Sequence, residues 1–168
     1  QNFPADQTFR TQVFYKRYQI HLKTGMVNNR EVAVNDEGYG DAKGFELFWR
    51  DRKTLKDVDY WISYSYLDTK RDHLNFPHAI RPSFAATHTA NFVIKKFVTK
   101  LKTQFNASYS FATGRPYYDI RPTGTNGKFK IVEEGKTIPY HSMSLSLNYL
   151  PTIGKENAKR FTVFVFSI

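Results

Sequence analysis

The sequence predicts an all-β fold, an antiparallel up-and-down meander of about seven strands that is part of a larger transmembrane β-barrel. Three observations lead to this prediction. Several segments alternate apolar and polar residues with a period of two, the spacing that places side chains on opposite faces of a strand. The connections between these segments are alternately long and short, as in a barrel meander. No segment has a helical period or the apolar length that a membrane-spanning helix needs.

The alternation is clearest in four segments, where mostly aromatic and aliphatic residues occupy one face and mostly small polar residues the other. These segments are 44–50, 60–66, 104–111 and 142–149. In the last of them, Met143, Leu145 and Leu147 alternate with serines. A face rich in Ser and Asn is more typical of a barrel lumen than of a surface in bulk water. We therefore expect the apolar face to meet lipid and the polar face to line the lumen.

This prediction assigns particular residues to each face. The predicted lipid-facing set is Phe45, Leu47, Trp49, Ile62, Tyr64, Phe105, Tyr109, Leu145 and Leu147. The predicted opposite set is Glu46, Ser63, Ser65, Asn106, Ser108, Ser144 and Ser146. A shift of one residue in register would invert a whole strand, so each assignment is specific.

The predicted strands form one domain, residues 1–168. They lie at about 9–23, 39–51, 58–71, 86–98, 103–116, 140–150 and 160–168. The long connections are 24–38, 72–85 and 117–139, and the shorter ones are 52–57, 99–102 and 151–159. Seven is an odd number and the last strand ends the sequence, whereas bacterial single-chain barrels have even numbers of strands. We therefore expect the chain to be part of a larger barrel.

Residues that favour turns occupy the long connections. Asn28-Asn29 and Asp36-Glu37-Gly38 predict a loop between the first two strands. In the third long connection, Asn126-Gly127 predicts a small hairpin between 118–121 and 128–132, because this dipeptide favours two-residue hairpin turns.

Composition is consistent with a membrane barrel and excludes some chemistry. The 168 residues are 40% hydrophobic and 17% aromatic, with a mean hydropathy of −0.55. Since half of the residues in a barrel strand can be polar, this hydropathy does not exclude a membrane protein. The absence of cysteine excludes disulfides and thiolate metal sites.

The formal charge of +10 is spread over strand ends and loops. The nearest approach to a cluster is Lys95, Lys96, Lys100 and Lys102, which we interpret as a solvated turn. Positive charge near strand ends also suits lipid phosphates.

No arrangement of residues predicts an enzyme, a cofactor or a metal site. The five histidines are scattered, and no serine has the setting of a nucleophile elbow. Asp57 and Asp59 are a possible carboxylate pair, but they flank a short turn, where Asp is common.

Five stretches, taken in order, resemble the C-terminal part of the barrel of TonB-dependent outer-membrane receptors of the Bacteroidetes type. They are VFYKRY (13–18), GYGDAKGFEL (38–47), WISYSYL (61–67), PSF (82–84) followed by HT (88–89), and ASYSFATGRPY (107–117). The last is the most specific of the five, which lie between residues 13 and 117.

The resemblance implies a twenty-two-stranded barrel closed by an N-terminal plug, in the outer membrane of a Gram-negative cell. It implies active import of a small nutrient such as a metal chelate, a glycan or a peptide, driven through TonB. The expected partners are outer-membrane lipid, the rest of the barrel and its plug, TonB through the N-terminal part, and the nutrient ligand, but no nucleic acid. The chain departs from the family in having no plug, no TonB box and no first two-thirds of the barrel, so we expect it to supply part of the wall.

Five residues are candidate substrate contacts at the external mouth or in the lumen. Arg115, Tyr117 and Tyr118 lie where a strand leads into the longest connection. There they suit an anionic or sugar-like ligand, or alternatively an interfacial aromatic belt with an anchoring arginine. Glu46 lies on the polar face, where it suits a wall salt bridge or a contact with plug or substrate, and His88 lies at the start of the next strand.

Two other functions are compatible with such strands. One is a passive porin-like pore, which the strand pattern fits equally well. The other is a soluble β-sheet module that binds nucleic acid or glycan. A nucleic-acid platform needs aromatic and basic residues on one face, whereas the aromatic faces of 60–66, 105–111 and 143–149 carry no charge.

Overall fold

The structure is a computed structural model that describes residues 6–28, 30–73, 76–123, 128–154 and 160–168. Its strands are β1 (Gln7–Val27), β2 (Arg30–Asp51), β3 (Val58–Asp72), β4 (His88–Val98), β5 (Thr103–Ala112), β6 (Pro116–Thr123), β7 (Lys128–Lys136), β8 (Tyr140–Tyr149) and β9 (Phe164–Ser167). One 3₁₀ turn, Thr99–Leu101, separates β4 from β5. The predicted all-β class is confirmed.

Seven strands form one antiparallel sheet in the order β1-β2-β3-β4-β5-β8-β9. The strands β6 and β7 form a separate hairpin between β5 and β8. Apart from this hairpin, each strand therefore pairs with the strand that follows it in the chain, which confirms the predicted meander. Within the described residues, the structure has no helix long and apolar enough to cross a membrane.

The register confirms which residues share a face. Phe45 pairs with Tyr66, and Leu47 pairs with Tyr64. Farther along the sheet, Phe105 pairs with Leu147. Residues paired across strands point to the same side, so this apolar side is continuous from β1 to β9. We call it the aromatic face and the opposite side, with Glu46 and the serines, the polar face.

The loop predicted at 24–38 is wrong, because β1 and β2 continue as one long hairpin. Val27 pairs with Arg30, and Asn28 has a left-handed φ of 49°. The residues Asp36-Glu37-Gly38 lie within β2 because a bulge absorbs them, with His21 facing both Glu37 and Gly38. A register irregularity thus accommodates residues that usually end a strand.

The remaining boundaries differ less from the prediction. The β6–β7 hairpin is confirmed and is longer than predicted, although its turn residues Asn126-Gly127 lie outside the described part. The strand predicted at 160–168 is confirmed only over Phe164–Ser167. Phe164 pairs with Tyr149, the last residue of β8, so the residues before it have no facing strand on β8.

The short turn between β2 and β3 is organised by Asp51, which is only 2% exposed. Its carboxylate accepts hydrogen bonds from the Lys53 and Thr54 backbone N–H groups at 2.7 and 2.9 Å. It also accepts from the Thr54 hydroxyl and the Gln7 amide. A buried carboxylate is acceptable here because its oxygens have donors.

Candidate functional site

The aromatic face is uncovered within the described chain. Leu145 exposes 44% of its surface, Ile62 45% and Met143 67%. Among the described residues, few apolar side chains are buried, namely Ala42, Val58, Ile80 and Ala85 together with Pro82 and Pro116. This sheet therefore lacks the cover that makes a soluble core.

The polar face carries an open hollow of about 830 Å³ that spans β1 to β4. Its lining includes Arg10, Gln12, Glu46, Phe48, Ser63 and Ser65. Hydroxyl and amide groups with one acid and one arginine suit a polar ligand or a neighbouring polar protein segment.

Two of the predicted site residues lie on opposite faces. Glu46 is exposed on the polar face beside Gln12 and Ser65, and it makes no ion pair within the described residues. His88 lies on the aromatic face, where its Nδ1 is 2.7 Å from the Tyr64 hydroxyl and its ring is 5.3 Å from that of Tyr66. The structure does not bring these two residues together.

The three predicted residues beyond β5 enter the separate hairpin. Arg115 is exposed and its backbone N–H donates to the Thr137 hydroxyl at 2.9 Å. Tyr117 lies across Gly135, where a Cβ would approach the phenol oxygen to 2.4 Å. Tyr118 is half-buried, its ring 6.3 Å from Phe76, and burial together with Glu134 raises its pKa.

The carboxylates Asp57 and Asp59 do not act as a pair. Asp59 accepts two hydrogen bonds from the Arg50 guanidinium, at 2.9 and 2.5 Å. Asp57 is exposed in the turn with a φ of 60°. The pair of Arg50 and Asp59 joins β2 to β3.

A cluster absent from the sequence prediction lies over two glycines of β2, at the end of the sheet with the long connections. Gly40 stands between Tyr18 of β1 and Arg71 of β3 in register. Because Gly40 has no side chain, the Arg71 guanidinium reaches across β2 and lies 5.0 Å from the centre of the Tyr18 ring. A Cβ on Gly40 would be 2.9 Å from Arg71 Cγ, so the space is already taken.

The same gap continues at Gly38. The rings of His21 and His73 are 5.7 Å apart, and Gly38 pairs with His21 in the β1–β2 ladder. Phe84 completes the arrangement, with its ring 5.4 Å from the Arg71 guanidinium. We call Tyr18, His21, Arg71, His73 and Phe84 the Arg71 cluster.

A chain of ring contacts joins the Arg71 cluster to the predicted residue Tyr118. Tyr18 contacts His21 at 5.3 Å, and His73 contacts Phe76 at 5.0 Å. Phe76 in turn contacts Tyr118 on the β6–β7 hairpin. The connection between β3 and β4 therefore meets β1 and the β6–β7 hairpin at one end of the sheet, and one predicted site residue belongs to this meeting point.

Charge in the cluster is positive. The carboxylate of Asp72 pairs with Lys23 at 2.7 Å. Burial, His21 and Arg71 lower the pKa of His73, in that order of importance, so this imidazole resists protonation. Three side-chain nitrogens, His21 Nε2, Arg71 Nε and His73 Nδ1, are shielded from solvent and have no hydrogen-bond partner in the described structure.

One sequence signal for this cluster exists. Gly38, Gly40, Ala42 and Gly44 repeat small residues with the period of a strand, so they leave one face of β2 without bulk. The sequence does not show which side chains of β1 and β3 fill that space. Among the described residues, no group of three or more His, Cys, Asp or Glu side chains is placed to hold a metal ion.

Comparison with known proteins gives no further assignment. The chain matches no family model, and no curated protein is significantly similar to it.

Proposed function

We propose that this chain forms part of the wall of an outer-membrane β-barrel that actively imports a nutrient, in the manner of TonB-dependent receptors. The observation that carries the proposal is the uncovered aromatic face of an open antiparallel meander. Exposed apolar surface of this extent and continuity is typical of a membrane or protein contact and unusual on a soluble monomer.

The layout of the aromatic face supports a lipid contact. In the described strands, no Asp, Glu, Lys or Arg lies on this face between Lys43 and Asp68 at one end and Asp51 and Lys96 at the other. The strands β4, β5 and β8 have 11, 10 and 10 residues. About 9–11 residues are needed for a tilted strand to cross a bilayer.

Aromatic residues border this apolar band at both ends, as in the girdles of membrane barrels. Tyr15 and Tyr66 lie toward the long connections, and Trp49, Tyr60 and Tyr149 lie toward the short turns. The opposite face has the serines and asparagines expected of a lumen wall.

The sheet edges support a larger barrel. Among the described strands, β1 pairs with β2 alone and β9 with β8 alone. In lipid, each unpaired backbone N–H or C=O costs several kcal/mol, so a membrane sheet of this kind needs strands from the rest of a barrel. Active import rests on the resemblance of five stretches to TonB-dependent receptors, since wall geometry alone suits a passive pore equally well.

The proposal is tested with the chain produced in a Gram-negative host. We expect extraction from membranes by detergent but not by alkaline carbonate, and no saturable solute uptake by liposomes that contain the chain alone. A stable detergent-free monomer would contradict the membrane assignment. Non-saturable flux of solute into liposomes would indicate a passive pore instead of an active importer.

A further inference from the structure

We propose that the Arg71 cluster binds an anionic group, a carboxylate or a phosphate, of a small ligand on the polar face. This inference rests on the proposed function in so far as the ligand is the transported nutrient, and it specifies the charge of that nutrient. The binding itself does not depend on transport.

The Arg71 guanidinium has no acidic partner within the described residues. Four other described arginines lie against carboxylates, Arg50 on Asp59, Arg52 on Asp6, Arg81 on Asp68 and Arg121 on Asp119, whereas Arg10, Arg17, Arg30, Arg115 and Arg160 make no ion pair there. Arg71 makes no ion pair or side-chain hydrogen bond within the described structure. A guanidinium presents N–H groups in a planar fork that matches carboxylate and phosphate oxygens.

This guanidinium is already held in place before a ligand binds. It lies against the rings of Tyr18 and Phe84. Its backbone is fixed by two hydrogen bonds to Ile80, at 2.8 and 3.0 Å. A side chain that is ordered before binding loses little further conformational freedom when a ligand arrives, which favours affinity.

The local balance of charge also favours an anion. Asp72, the acid next to Arg71 in the sequence, is already paired with Lys23. The imidazoles of His21 and His73 add no negative charge beside the guanidinium. Hydrogen bonds to an anion from a shielded guanidinium are stronger than those made in water.

Access is available on one side. Arg71 is half-buried, and Phe84 exposes 57% of its surface. The cluster also lies at the long-connection end, where Tyr118 and the β6–β7 hairpin meet it through Phe76. An alternative role for Arg71 is purely structural, as a cation stacked between two rings, and the experiment separates the two.

The test is calorimetric titration of the full chain in detergent with inorganic phosphate and, separately, with citrate, at constant ionic strength. We expect saturable binding of at least one of these probes. Arg71→Gln should weaken it by about tenfold or more, the loss of one strong charge-assisted contact. Arg71→Lys, which keeps the charge but loses the planar fork, should weaken it by a smaller factor.

The matched control is Lys70→Gln, which removes the same charge at the neighbouring position, on the aromatic face and exposed. We expect it to change the affinity by less than about twofold, as for a screened surface charge. No saturable binding of either probe would overturn the proposal, as would equal losses in the Lys70 and Arg71 variants. Circular dichroism of each variant shows whether the sheet is intact.

The result is separable from the proposed function. If Arg71 binds phosphate or citrate but the chain is a detergent-free monomer, the anion site stands and the membrane assignment fails. If the chain behaves as a membrane protein but binds neither anion, the membrane assignment stands and the anion site fails.

Discussion

The middle of the sheet and its long-connection end bring side chains together in different ways. In the middle, contacts follow the ladder, as where Phe105 faces Leu147 and Asn106 donates to Ser146 at 3.0 Å. At the long-connection end, Tyr18 and Arg71 meet although β2 lies between their strands. The difference is Gly40, which removes the intervening side chain. The regular alternation of side chains therefore determines the contacts in the middle of the sheet. At the long-connection end, the contacts depend on glycines that leave space for side chains of more distant strands.

The largest expected effect is on the aromatic face. We expect Leu145→Arg to destabilise the membrane-inserted protein by about 2–4 kcal/mol, the range for a charge on the lipid face near the bilayer midplane. Ser144→Arg, on the polar face of the same strand, is the control and should cost much less. Urea unfolding in phospholipid vesicles, followed by tryptophan fluorescence, measures both. Equal costs would show that the two faces do not differ in environment.

The next effect is at Gly40, where the missing side chain lets Arg71 reach Tyr18. We expect Gly40→Val to destabilise the fold by about 1–3 kcal/mol, because the new side chain overlaps Arg71 Cγ and the Lys70 carbonyl. Ser108→Val makes a similar change on the same face in the middle of the sheet, where we expect about 0.5 kcal/mol or less. The same unfolding titration compares them. A larger loss in the Ser108 variant would contradict the distinction between the regions.

A smaller effect distinguishes an ion pair at the short-turn end of the sheet from one at the long-connection end. In a double-mutant cycle, Arg50→Gln with Asp59→Asn should give a coupling of about 0.2–1 kcal/mol, as for a partly exposed pair. The pair of Arg81 and Asp68 should couple more strongly, because Arg81 also contacts Thr87 and holds the segment between β3 and β4. A weaker coupling for Arg81 would show that this segment is held by its backbone alone.

The smallest expected effect is a dependence on pH at the long-connection end. Because the pKa of His73 is lowered in the folded protein, the unfolded chain binds a proton more readily as pH falls below about 6.5. Stability contributed by neutral His73 is thus present above this pH and decreases below it.

Hydrogen exchange tests this dependence. We expect residues 76–87 to exchange faster relative to β8 at pH 5.5 than at pH 7.5, after correction for the intrinsic rate. The His73→Gln variant should lose this difference. The charges that face His73 are His21 of β1 and Arg71 of β3, with Asp72 and Lys23 beside them. If the variant keeps the difference, His73 is not the titrating group.

Sequence patterns predicted the regular region well. The alternation in 44–50, 60–66, 104–111 and 142–149 assigned each side chain to the face on which the register places it. Residues that favour turns predicted the positions of the loops less reliably. Asn28 does lie in the first turn, but Asp36-Glu37-Gly38 lies within β2, since the bulge at His21 accommodates it.

The candidate site was predicted only in part. Tyr118 lies where the β6–β7 hairpin meets the connection between β3 and β4, whereas Glu46 and His88 are on opposite faces of the sheet. Arg71 was not predicted. In the sequence it resembles other basic residues near strand ends, and its partners Tyr18 and Phe84 are distant along the chain.

By itself, the sequence determined the fold class, the order of the strands and the two faces of the sheet, because side-chain direction in a strand depends only on alternation. The tertiary structure decided where β1 and β2 end, which residues meet across the glycines of β2, and that no carboxylate of the described residues pairs with Arg71. These features depend on register and on contacts between distant segments, and such contacts leave no local periodicity in the sequence.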